Sequence, residues 1–209
     1  MAESIIIVNF DVESEAYQAF SELKRVAVNP EFVISEACIV KNYEGRIIGK
    51  DAFDSGQETT DDSRKGSLVG SLVGVLGGPV GIIICGGMGY ILGRAKDIRD
   101  RETNASLIER VCASIPEGTT AIVALVSEME PEAFNNRVNK FSTQTKRIDA
   151  AAVAAEVDRA REIQRQIEKE TRQKLREEKK EASKKRNEAR RAKIKADFER
   201  RRPRLFHKK

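Results

Sequence analysis

The chain of 209 residues has no tryptophan, one histidine and three cysteines, and aromatic side chains make up only 5% of it. Each scarcity removes something. The one histidine, His207, lies in the basic end "RPRLFHKK", too far from the apolar part of the chain to anchor a His-based triad or a multi-His metal site there. Cys38, Cys85 and Cys112 show no CxxC spacing and are odd in number. That fits a reducing compartment, with the thiols serving as small apolar side chains. Cys38 falls in an apolar strand pattern and Cys112 on an amphipathic helix, so both read as core thiols rather than nucleophiles. "MAESIIIVNF" has no basic start and only a short apolar run, so no secretory signal is expected. The expected place is the cytoplasm or the cytoplasmic face of a membrane. No set of nucleophile, base and orienting group is present. The chain is therefore expected to be no enzyme, with no catalytic residue, cofactor, metal or small-molecule substrate.

Charge is abundant but divided. Residues 1–155 hold 16 Lys/Arg against 22 Asp/Glu, a net of −6. Residues 156–202 hold 19 basic against 11 acidic side chains, a net of +8, and the last seven residues add +3. An acidic body carries a basic tail, and the core must come from Ile, Val, Leu and Ala of the body.

"SIIIVNF" is a short β-branched run, the composition of a buried strand. "SEAYQAFSELKRVAV" places Ala16, Phe20, Leu23 and Ala27 at spacings of three and four, a helix expected to be capped by Ser14 and stopped by Asn29-Pro30. "EFVISEACIVKNYEGRIIGKDAF" reads as two strands turning at Tyr43-Glu44-Gly45. Further on, Leu107, Ile108, Val111 and Ile115 mark a second helix, and "TTAIVALV" a last apolar strand. The order β-α-β-β-α-β predicts an α+β, ferredoxin-like sheet with both helices on one face. A short helix at 131–140 and an extended piece at 143–148 are expected to add to it. From Asp149 to Arg202 there is neither Gly nor Pro, so a helix of about 50 residues is expected, on the order of 75 Å long. Its apolar stripe (Val153, Val157, Ala160, Ile163, Ile167) ends after the first third. The division is thus a domain over 1–150 and a charged helix and tail over 151–209.

Residues 65–93, "KGSLVGSLVGVLGGPVGIIICGGMGYILG", interrupt this order and hold ten of the fourteen glycines. A phosphate loop needs a glycine turn leading into Lys-Ser/Thr. Here the lysine precedes the glycines, and Gly87, Gly89 and Gly93 miss the dinucleotide spacing. A single membrane span is long enough at 28 uncharged residues. However, Gly77-Gly78-Pro79 breaks it at its centre, and a single crossing would separate strands of one sheet. A helical hairpin within 64–95 meets both constraints, with arms 66–76 and 80–93. Gly66, Gly70 and Gly74 recur every four residues, as do Gly81, Cys85, Gly89 and Gly93, giving a flat groove for close helix contact. With the Gly77-Gly78-Pro79 bend, these are the candidate oligomerisation residues. The hairpin either dips into a membrane, joins copies of the chain, or packs onto its own domain. Asp61, Asp62, Asp97, Asp100 and Glu102 flank it, interleaved with Arg64, Lys65, Arg94, Lys96, Arg99 and Arg101, a pattern read as a salt-bridged collar.

The glycine-rich stretch, the helix after it and "PEGTTAIVALV" together resemble a bacterial and archaeal family of unknown function called predicted membrane proteins. Residues 4–150 carry the resemblance. It implies a strand-helix-strand unit, a glycine-rich hairpin with a central Gly-Pro, and no catalytic residues. The tail after Asp149 is longer than that family's usual ending.

In the tail, Lys179, Lys180, Lys184, Lys185, Arg186, Arg190 and Arg191 form a basic run without aromatic stacking partners. It reads as a solvated helix, or as a docking arm for nucleic acid, anionic lipid or an acidic protein surface. The functional expectation is a non-enzymatic, membrane-associated homo-oligomer built on the glycine hairpin, with the charged helix as spacer or docking arm. The alternative is a nucleic-acid-associated protein.

Overall fold

The structure, a computed structural model, describes residues 2–56, 67–85, 106–141 and 143–205. Gly66, Gly89 and Gly93, the acidic and basic flanks of the glycine stretch, and His207 lie outside the described residues. Two compact units are present, Met1–Gln164 and Arg165–Lys209.

The first unit is an α+β domain. In chain order it contains β1 (Ala2–Phe10), α1 (Glu13–Arg25), β2 (Phe32–Tyr43), β3 (Arg46–Asp54), α2 (Leu68–Gly77) and α3 (Pro79–Cys85). There follow α4 (Leu107–Ala113), β4 (Thr120–Glu128), α5 (Pro131–Val138), β5 (Thr143–Asp149) and the start of α6 (Ala150–Leu205). The β-α-β-β-α-β order is present, with α5 and β5 appended as expected. Helix α1 begins at Glu13 after an uncapped Val12, so Ser14 lies inside it rather than at its cap. Its acidic first turn and basic last turn complement the helix dipole. Glu44 and Gly45, both at positive φ (51° and 75°), make the tight turn between β2 and β3.

All five strands form one antiparallel sheet in the order β3-β2-β4-β1-β5. β4 pairs with both β1 and β2, which therefore run parallel with β4 between them. The strand that follows the glycine-rich insertion thus closes the centre of the sheet.

Both faces of the sheet are covered, because its strands are apolar on both sides. Ile5, Ile6, Ile7 and Val8 are each fully buried. On one face Ile6, Val8 and Phe10 join Ile34, Ile39, Ile122, Ala124 and Val126 beneath α1 and α5. The opposite face carries Ile5, Ile7, Cys38, Val40, Ile47, Val123 and Leu125, all buried. Links to α2 and α4 place those helices here: Val73 of α2 lies over Gly49, on the same side as Cys38 Sγ, and Asn9 and Asn42 bond the carbonyls that end α4. The expected arrangement, with both helices on one face, is therefore corrected. α1 and α4 lie on opposite faces, since alternate residues of an all-apolar strand need a cover on each side.

The first turns of α6 belong to this unit, which extends to Gln164. Val153, Ala154 and Val157 are buried, and Glu156 Oε2 accepts from the backbone N–H of Ile108 at 3.2 Å. The second unit, by itself, is the exposed remainder of that helix.

Candidate functional site

The described part of the glycine-rich stretch is an elbow. α2 and α3 meet at a bend of 71° around Gly78, so the expected antiparallel reversal is absent between these arms. Gly78 is extended (φ −88°, ψ −177°), the conformation favoured before proline, and Pro79 opens α3, where its missing N–H costs no helix bond. No single described helix is long and apolar enough to cross a membrane; only the bent pair together has that length and composition.

Specific contacts seat the elbow on the sheet. At the start of α2, Glu36 accepts from the backbone N–H groups of Leu68 (3.2 Å) and Val69 (2.9 Å) and from Ser67 Oγ (2.5 Å). Ser67 in turn caps Gly70 N–H at 2.8 Å. Glu36 reaches this side because β2 holds one extra residue, Ser35, between partners Ile34↔Val126 and Glu36↔Leu125. Without that bulge the period of two would point Glu36 into the core under α1. At the bend, Arg46 Nε donates to Gly77 O at 2.9 Å. A Cβ on Gly77 would stand 2.8 Å from Ile47 O, so only glycine allows this approach to β3. From α6, Arg161 Nη1 donates to Ser71 Oγ at 3.0 Å, and Gln164 packs against Gly78.

Cys85, at the end of α3, is disulfide-bonded to Cys112 of α4. This corrects two expectations, the core thiol at Cys112 and the use of Cys85 as one of the small residues of a zipper. An odd count concealed the pair because the third cysteine stays free. Cys38 is buried, and desolvation pushes its thiol up to about 11, with the Asp51 charge adding to the effect. It is poorly disposed to act as a nucleophile.

The outward face of the elbow is unlike its seat. Gly70, Gly74 and Pro79 are exposed, and a Cβ on Gly74 would meet nothing within 4 Å. Ile82 and Ile83 on α3 are 45% and 56% exposed. Of the candidate oligomerisation residues described, Gly77 and Gly81 are consumed by packing at the bend and Gly70 lies against Ser67, whose Oγ a Cβ would meet at 2.9 Å, while Gly74 faces outward with no described neighbour within 4 Å of a Cβ.

In the second unit the basic residues fall into columns. Lys180, Lys184 and Arg191 share one side of α6 at spacings of four and seven, and Lys179, Arg186 and Arg190 an adjacent one. Glu177, Glu181 and Glu188 stand three residues before Lys180, Lys184 and Arg191, so an acidic column borders the first basic one. All these side chains are exposed.

On the α1 face an open cleft of about 320 Å³ is lined by Glu22, Arg25, Asn136, Arg137 and Lys140. Its cations stand at the C-terminal ends of α1 and α5, where they complement helix dipoles, and Lys140 pairs with Glu22, whose carboxyl its hydrogen bond lowers. Among the described residues no group of His, Cys, Asp or Glu is arranged to hold a metal.

A family model for a protein of unknown function, DUF1269, matches residues 63–180, more than half of the chain. The chain belongs to the DUF1269 family. The match begins at the glycine-rich stretch and runs into α6, so the long helix up to residue 180 is part of what the family shares, whereas β1, α1 and the β2–β3 pair precede it. Comparison with curated proteins and with solved structures finds no match.

Proposed function

We propose that this DUF1269 protein is a non-enzymatic, self-associating structural protein of the cytoplasm or the cytoplasmic face of a membrane. Copies join through the outward face of the glycine-rich elbow, and the charged helix serves as spacer or docking arm. The observation that carries the reading is the exposed, uncontacted Gly74 of α2 together with exposed Ile82 and Ile83 of α3. Glycine in a helix costs about 1 kcal/mol against alanine. At Gly74 no contact with a described residue requires it, and close approach of a second helix is the physical reason for a glycine there. Sedimentation velocity of Gly74→Leu tests this. A smaller particle than the parent chain is expected, and an unchanged size overturns the reading. Flotation with liposomes in the same buffer separates a membrane-seated assembly from one that stays below the lipid.

The basic columns of α6 favour a second reading, binding to nucleic acid through neutralised phosphates. It requires affinity that falls steeply with salt and is lost when residues 165–209 are removed.

A further inference from the structure

We infer that the Cys85–Cys112 bridge is a redox-governed clasp: closed, it ties the distal half of α3 to α4 and holds exposed Ile82 and Ile83 in place for self-association; opened by a dithiol reductant, it lets that half move and weakens the assembly. The inference rests on the self-association proposed above and supplies its regulation.

Helix α3 has seven residues, and only Val80 and Gly81, beside the bend, are buried. Its distal half presents Ile82 and Ile83 to solvent and leaves Ile84 and Cys85 half-buried. The bridge, joining residues 27 apart in sequence, is thus the covalent anchor of that half. The other end of the clasp is fixed independently. Ser106 and Glu109 form a capping box at the start of α4, and Glu156 accepts from Ile108 N–H. Asn9 and Asn42 donate to Ser114 O and Ile115 O at 2.6 and 2.7 Å. Opening the bridge therefore releases α3 and leaves α4 in place.

Accessibility also orders the chemistry. Cys112 is 8% exposed, whereas Cys85 is half-buried, so an incoming thiolate meets Cys85 Sγ. Attack there forms a mixed disulfide as the Cys85–Cys112 bond breaks, and Cys112 leaves as a thiolate that takes up a proton. The second thiolate of the reductant then attacks its own sulfur in the mixed disulfide, and Cys85 leaves and is protonated. One protein disulfide and one dithiol become two protein thiols and one oxidised dithiol. In a cytoplasmic compartment such a bridge opens and closes with the thiol pool instead of persisting.

Hydrogen exchange read by mass spectrometry on the full chain, oxidised and in dithiothreitol, tests the clasp, with sedimentation velocity on the same samples. On reduction, amides of Val80–Cys85 are expected to exchange at least about tenfold faster while β1 and β4 stay protected, and the particle size is expected to fall. The Cys85→Ser/Cys112→Ser double variant is expected to match the reduced chain in both buffers. Unchanged exchange in α3, loosening of the whole sheet, or a loosened α3 with unchanged size each overturns the clasp. If Gly74→Leu alters the assembly and reduction does not, self-association stands without the clasp. If neither alters it, both fall.

Discussion

Glu36 stands at the N-terminus of α2 because Ser35 adds one residue to β2, and its carboxylate accepts three hydrogen bonds there. Glu36→Ala is expected to cost about 1–2 kcal/mol, through lost charge-assisted capping. That lowers Tm by roughly 2–8 °C in a thermal melt. Glu36→Gln should retain part of this, since the amide oxygen still accepts but carries no charge for the dipole. Cys38 offers a second test at this scale. With the Cys38 thiol buried and pushed up to about 11, the fully reduced chain at pH 8 should alkylate at half-buried Cys85 well before Cys38, as peptide mass mapping will show. The sign for stability follows. An acid whose folded pKa is raised supports the fold below its ordinary value of 9.0, and that support fades as pH climbs toward about 11. Cys38→Ala should flatten this alkaline limb.

At the scale of elements, the glycines of α2 divide by what lies beyond them. Gly77→Ala places a Cβ against Ile47 O and should destabilise by about 1–3 kcal/mol. Gly74→Ala meets open space and should stabilise the isolated fold by nearly 1 kcal/mol, while weakening the proposed assembly. Denaturant melts of both variants check the pair, and equal signs would show that the two positions are not distinguished by packing. Helix α1 is tied to its surroundings by exposed ion pairs, Glu13 with Lys41 and Glu22 with Lys140. The hydrogen bond from each lysine lowers the carboxyl below its ordinary value of 4.5. Their contribution is present above that value and lost as pH falls through the lowered one. A Glu13→Gln/Glu22→Gln variant should therefore lose part of the acid limb of its Tm profile, with differences small at high salt.

For the whole molecule, the compact unit ends at Gln164, so a chain cut there should keep its fold. A cut after Ala155 removes buried Val157 and Ala160 and the Arg161–Ser71 bond, and should melt lower. Circular dichroism melts of the two truncations compare them directly. The cut at Gln164 also serves the functional question, because it removes every basic column of α6 without touching the elbow.

Much of the architecture was legible in the sequence. Periodicity placed α1, the β2–β3 pair, α4 and β4, since burial on one face leaves a spacing of two or of three and four that needs no knowledge of partners. The break at Gly77-Gly78-Pro79 was legible for the same local reason, the loss of a helix N–H and the bias against helix before proline. What only the tertiary structure decided is longer in range. A bulge at Ser35 turned Glu36 to the α2 side, although nothing in "FVISEACIV" marks an extra residue. Two cysteines 27 residues apart became neighbours because α3 and α4 share a face of the sheet. The same layering chose which glycines face a backbone and which face outward, because a run that is apolar all round carries no record of which side is covered.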